Sequence, residues 1–184
     1  MTLDIGASIQ SVVEQLKDGT QQLNQLQFDE DEPIRLGAPA APQELARLAT
    51  LLGTALPPSY AAFMKQHNGW TDFEGDLAIL SSADYDAHWV TARIAEWGGL
   101  FEENAGANPL ATWAFPVLLG ETSGRVVVLD RRSCSPDGEL AVVAFDFTAE
   151  EGRYDSFGEF LRHELSVLRE TISDLKDGDS GPME

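Results

Sequence analysis

The chain has 184 residues and a mass of 20.0 kDa, with 31 acidic against 12 basic side chains, a formal net charge of -19 and a pI near 4.3. That balance argues against nucleic acid and anionic membrane as partners, because phosphate would be repelled, and leaves a basic protein partner or plain solubility as its meaning. A hydrophobic content of 43% over this length suffices for one domain with a sizeable core.

Residues 3 to 26 open with Ile5, Ile9, Val12 and Leu16 at helical spacing, a break at Asp18-Gly19, and a further turn carrying Leu23 and Leu26. One or two helices are expected there, forming an extension over residues 1–36. The run Asp29 to Glu32, then Pro33 and the Ala/Pro stretch from Gly37 to Pro42, reads as a linker or extended cover strand. Pro42 starts a helix with Leu45, Leu48 and Leu52 on one face, closed by Gly53. Pro58 starts the next, with Tyr60, Phe63, Met64 and His67 in one stripe and Asn68-Gly69 supplying the left-handed stop. The two helices should form a tight corner over a shared core.

Gly75 to Leu80 reads as a short strand, and Ser81 with Asp84 resembles a capping box for a helix through Trp97. Gly98 to Pro109 is expected to be an irregular loop. Trp113 to Leu119, Arg125 to Asp130 and Glu139 to Phe147 are aromatic and β-branched strands, the last two joined by a type I turn at Ser135-Pro136-Asp137-Gly138. Ser156 and Glu159 cap a final helix through about residue 174, with Phe157, Phe160, Leu161, Leu165, Leu168 and Ile172 on its apolar side. Residues 175–184 are small, polar and acidic, and disorder is expected. The whole is an α+β domain: an antiparallel sheet with helices packed mainly on one side, its main unit spanning 37–174.

The single cysteine, Cys134, permits no intrachain disulfide and points to a reducing compartment. The start MTLDIGASIQ lacks the pattern of a signal peptide, and no run approaches the roughly 20 apolar residues of a membrane helix, so a soluble cytoplasmic protein is expected. Cys134 lies in a turn beside Arg131 and Arg132, but no histidine motif accompanies it. His67 sits on an apolar stripe and His163 on the outer side of the last helix. Asp84, Asp86 and His88 offer two ligands at helical spacing without a third, short of a metal set. Asp72, Glu74 and Asp76 lack the glycine and terminal glutamate of a calcium loop and read as exposed acids. Glycine-rich phosphate loops are missing as well, so no cofactor or metal is expected. Core duty is expected for at least two of Trp70, Trp89, Trp97 and Trp113.

The order of E-L-A-R-L-A-T-L-L-G from Glu44, L-P-P-S-Y-A-A-F-M-K-Q-H-N-G from Leu56 to Gly69, G-R-V-V-V-L-D from Gly124 and D-S-F-G-E-F-L from Asp155 resembles the SUKH superfamily, over roughly residues 40 to 172. That superfamily takes in fungal Smi/Knr cell-wall regulators and bacterial immunity proteins. The resemblance implies a non-enzymatic binding domain. Its leading form is an immunity protein neutralising a cognate basic toxin, such as a nuclease or deaminase, by direct contact; its alternative is a regulatory scaffold like the fungal proteins. Leu56, Pro57, Tyr60, Phe63, Asn68 and Gly69 are its structural signature. The expected partner surface is acidic: Asp72, Glu74, Asp76, Asp84, Asp86, Glu102 and Glu103.

Overall fold

The central strands are apolar on both sides because both faces of the sheet are covered. In the computed structural model, which describes residues 4–28 and 33–178, β1 (Trp70–Glu74), β2 (Leu77–Ile79), β3 (Ala114–Leu119), β4 (Arg125–Cys134), β5 (Leu140–Asp146) and β6 (Ala149–Tyr154) form one antiparallel sheet in sequence order. Val127 and Leu129 of β4 point to one face with Val142 and Ala144 of β5, and Val126, Val128, Val143 and Phe145 point to the other. This is the two-residue period of an extended chain serving two cores at once. A bulge between Pro116 and Leu118 re-phases β3 and accommodates a proline, which has no N–H for the ladder.

The first face carries α1 (Ile5–Phe28), α2 (Pro42–Leu52), α3 (Pro58–Gln66) and α5 (Phe157–Gly178). The second is covered by α4 (His88–Ala105), through Val90, Trp97 and Phe101. The helices are therefore mainly on one side, as the sequence implies, with one helix closing the other.

Several expectations are corrected in detail. Asp18-Gly19 does not interrupt α1: a Cβ on Gly19 would stand 2.8 Å from Leu168 Cδ2, so the glycine lets two helices approach. Those helices run in the same direction, Ser8 bonding Arg162 and Gln15 bonding Arg169. Helix α3 ends at Gln66, its cap His67 is extended, and the left-handed turn comes two residues later at Gly69, with φ 92°. The Ser81 to Asp84 box is present as a bond from Ser81 N–H to Asp84 Oδ2 at 2.7 Å, but it closes only a 3-10 turn over Asp84–Asp86.

Helix α4 starts afterwards and continues through Gly98-Gly99 to Ala105, where a loop was expected. Burial of Trp97 and Phe101 against the sheet outweighs the roughly 1 kcal/mol that each glycine costs a helix. Two strands had no clear pattern. β1 holds Asp72 and Glu74, which the sequence presents only as exposed acids, and β6, Ala-Glu-Glu-Gly-Arg-Tyr, is a polar edge. Cys134 closes β4 and is exposed. The Ser135 to Gly138 turn forms as expected, Gly138 N–H bonding Ser135 O at 3.0 Å. Of the cover segment, Leu36 makes an antiparallel bridge to Trp70; residues 29–32 lie outside the described residues. Helix α5 runs to Gly178, past the expected end near 174, and residues 179–184 again lie outside the description.

Candidate functional site: an acidic turn end and an apolar groove

A six-strand meander puts the β1–β2, β3–β4 and β5–β6 turns at the same end of the sheet. Chemistry concentrates there. Asp76 Oδ2 accepts bonds from Thr122 N–H at 2.6 Å, Thr122 Oγ1 at 2.8 Å and Ser123 N–H at 3.1 Å, tying the first two turns together. Partial burial opposes its ionisation, yet the Thr122 and Ser123 donors outweigh this and hold the carboxyl below its usual value. Beside it, Arg125 reaches three carboxylates: Glu74 at 2.7 Å, Glu164 at 2.8 Å and Glu151 at 3.1 Å. One guanidinium against three carboxylates leaves the cluster negative, with acceptor lone pairs to spare.

Two residues here have backbones that side chains usually avoid. Asp72 has φ 56° inside β1, where the β1–β2 register shifts between Trp70 and Glu74. Phe147 has φ 50° in the two-residue loop between β5 and β6, Asp146 pairing with Ala149. Thr148 does not share the positive φ, so the turn places its unfavourable backbone on the first loop position, where glycine is favoured. Phenylalanine instead stands there, 67% exposed, with its ring over Gly124.

From this end a groove of about 470 Å³ opens between the second half of α1, the middle of α5 and the β1–β2 hairpin. Leu16 and Phe73 form its floor, Leu23 and Leu168 its flanks, and exposed Phe28 and Val167 its lips. Asp72, Glu74 and Glu164 line the rim, and none of its lining residues is basic. Of the expected acidic surface, Asp72, Glu74 and Asp76 are thus brought together.

Asp84 and Asp86 lie at the opposite end of the hairpin. Asp84 accepts the Ser81 amide, and Asp86 pairs with Arg47 of α2 at 2.5 Å. Glu102 and Glu103 are exposed on α4, across the sheet. The seven acids form separate patches rather than one face.

The signature residues are architectural. Tyr60 and Phe63 are fully buried and pack edge-on against Phe157, while Leu56 and buried Pro57 lead into α3. Asn68 donates to Glu44 Oε1 and Ser82 Oγ and accepts the Ser82 N–H, and Glu44 Oε2 accepts the Ala41 N–H. The corner from α2 to β1 is locked by these bonds. Gly69 and Gly37 lie close beneath it, a Cβ on Gly37 falling 2.2 Å from Asn68 O. Trp70 and Trp97 are core, whereas Trp89 and Trp113 are half-buried, the latter under the Arg132 guanidinium at 3.7 Å.

His67 approaches Gly37 O at 3.3 Å, exposed His163 lies against the Tyr154 ring, and Cys134 Sγ contacts Ser135 O. Asp84, Asp86 and His88 are divided between the 3-10 turn and the first residue of α4. Among the described residues no group of three or more His, Cys, Asp or Glu side chains could hold a metal ion.

Glu164, Phe28 and Val167 escape a reading of the sequence. Glu164 sits in a polar run, yet its side chain is only 10% exposed because Arg125, far away in the chain, draws it inward. Phe28 and Val167 did leave a trace, as apolar residues off the core stripes of their helices.

Among the described residues no helix is long and apolar enough to cross a membrane. A 52-residue stretch is 40% identical to the uncharacterized protein YnaB of Bacillus subtilis (strain 168), covering 28% of this chain and 35% of that relative. The chain therefore matches only about a third of that protein's length. The model of the SMI1 / KNR4 family (SUKH-1) matches residues 39–163, which take in α2, α3, the whole sheet, α4 and the start of α5. With the Leu56 to Gly69 corner serving as its architectural lock, this chain belongs to the SMI1 / KNR4 family (SUKH-1).

Proposed function

We propose that the chain is a non-enzymatic protein-binding domain that neutralises a cognate basic toxin, of the nuclease or deaminase kind, by direct contact. The observation that carries this reading is the acidic turn end: Asp72, Glu74 and Asp76 stand beside a cluster in which Arg125 is outnumbered by its carboxylates. An uncompensated negative face steers a basic partner into encounter and rejects acidic ones, while apolar contacts behind it supply affinity. Family membership and the net charge of -19 support the same reading. The cytoplasm, where such a toxin would act, is the proposed location.

The test is co-expression with any toxin found encoded beside this gene. Lysines at Asp72, Glu74 and Asp76 should abolish protection of the cells, with far-UV circular dichroism and melting showing that the variant folds. Reversal at Asp84 and Asp86, or at Glu102 and Glu103, reads the separate patches in the same assay. Full protection by a folded protein with all seven acids reversed would refute the acidic-face reading. Should no toxin gene adjoin this one and several cellular proteins bind the same face, the scaffold reading would replace immunity.

A further inference from the structure

The groove between α1, α5 and the β1–β2 hairpin is a surface feature that the architecture leaves unexplained. We propose that it receives a cationic amphipathic helix of the protein partner, apolar side down; this rests on the protein-binding reading above. Chemistry defines the occupant. Phe28 and Val167, 63% and 44% exposed, hold apolar surface open above Leu16 and Phe73, and only an apolar insert recovers that surface from water. The rim carries Asp72, Glu74 and Glu164 with no basic residue among the lining side chains. Lysine or arginine flanking the insert would find unused carboxylate lone pairs beside Arg125.

Backbone geometry selects a helix over a strand. An added strand needs a regular edge with free N–H and C=O groups. Here Leu36 already bridges Trp70, and the rest of β1 is distorted by the register shift and by Asp72 at φ 56°. The other walls are helices whose backbone bonds are internal. A third helix, needing no backbone partner, fits the seam between two parallel ones.

Most of the groove also lies outside the span that the family model matches. Every α1 residue, and Glu164, Val167, Leu168 and Thr171 of α5, lie outside the span matched by the family model, which ends at 163. Only the hairpin wall belongs to the shared domain.

The experiment uses the full chain and a synthetic helix of about 18 residues with a Leu/Trp stripe flanked by lysines, beside the same peptide with glutamate for lysine. Binding is followed by fluorescence anisotropy and by amide chemical-shift mapping. The lysine peptide should bind and shift resonances of Leu23, Phe28, Phe73 and Val167, and the glutamate peptide should bind at least about tenfold more weakly. Val167→Lys, an exposed change that leaves the core alone, should weaken the lysine peptide by about tenfold, and Glu164→Gln should flatten its salt dependence. Equal binding of the two peptides, shifts confined to other surfaces, or no binding at millimolar peptide would each overturn the proposal. Peptide binding that Val167→Lys abolishes while toxin protection persists would overturn the groove as the partner site and leave immunity standing. Groove binding as expected, with no protection by the wild-type protein, would instead strike the immunity reading alone.

Discussion

Replacing Phe147 by glycine and, separately, by alanine tests whether the β5–β6 turn holds an aromatic residue against its backbone preference. An L-residue in left-handed backbone costs about 1–2 kcal/mol, which glycine relieves and alanine does not. Both changes remove the ring. With 67% of the residue exposed, about a third of the burial value of a phenylalanine, roughly 0.5–1 kcal/mol, is lost in each. Glycine adds roughly 0.5–1 kcal/mol of unfolded-state entropy. Alanine should therefore destabilise by roughly 0.5–1 kcal/mol while glycine stays close to wild type, about 0.5–1 kcal/mol above alanine. At a regular strand position the order is reversed. Urea unfolding followed by tryptophan fluorescence measures the difference. Alanine equal to or above glycine would refute the claim of strain at Phe147.

Two further outcomes follow from buried geometry. Gly37→Ala should lower stability by at least about 2 kcal/mol in the same assay, because its Cβ would meet the backbone carbonyl of Asn68 at 2.2 Å, an atom that cannot swing aside. Asp130, 2% exposed, is held at a pKa of about 2 by the Arg132 side chain, against burial and with help from Arg153. A depressed carboxyl pKa stabilises above its unfolded value of 3.8 and loses that contribution as pH falls to about 2. The difference corresponds to at most about 2 kcal/mol, less after solvent screening because both arginines are about half exposed. Asp130→Asn should thus be less stable than wild type at pH 7, with the gap closing between pH 4 and pH 2; a gap independent of pH would exclude the ion pairs as its cause.

What the sequence discloses divides along a physical line. Features decided within a few residues are legible: Pro42 and Pro58 at helix starts, Gly53 at a stop, the Ser135 to Gly138 turn, and the β-branched runs of β3 to β5. Features decided by distant neighbours are not. Gly19 looks like a break because the sequence does not show Leu168 packed against it, and Gly98-Gly99 looks like a loop because the sheet beneath Trp97 is unseen. β1 and β6 are edges, where one exposed side removes the hydrophobic alternation that marks a strand. The acids Asp72, Glu74 and Asp76 could be named from composition, but their separation from Asp84 and Asp86 depends on the hairpin, and the Arg125 cluster joins four elements.

The same geometry explains how a net charge of -19 can act locally. Arg47, Arg93, Arg125, Arg132, Arg153 and Arg162 are each paired with carboxylates of this chain, so much of the positive charge is neutralised at short range. The acids that outnumber them set the field at distances of a Debye length, about 8 Å at physiological salt. Steering by that field raises the rate of encounter without fixing orientation. Orientation requires something short-ranged and uneven. The turn end carries acids, an exposed phenylalanine of positive φ and, along the β1–β2 hairpin, the mouth of an apolar groove, whose lining includes neither the acids near Arg47 nor those on α4. Long-range attraction and short-range fit would therefore coincide at this end, which is what the proposed recognition face requires beyond an acidic surface that only keeps a protein in solution.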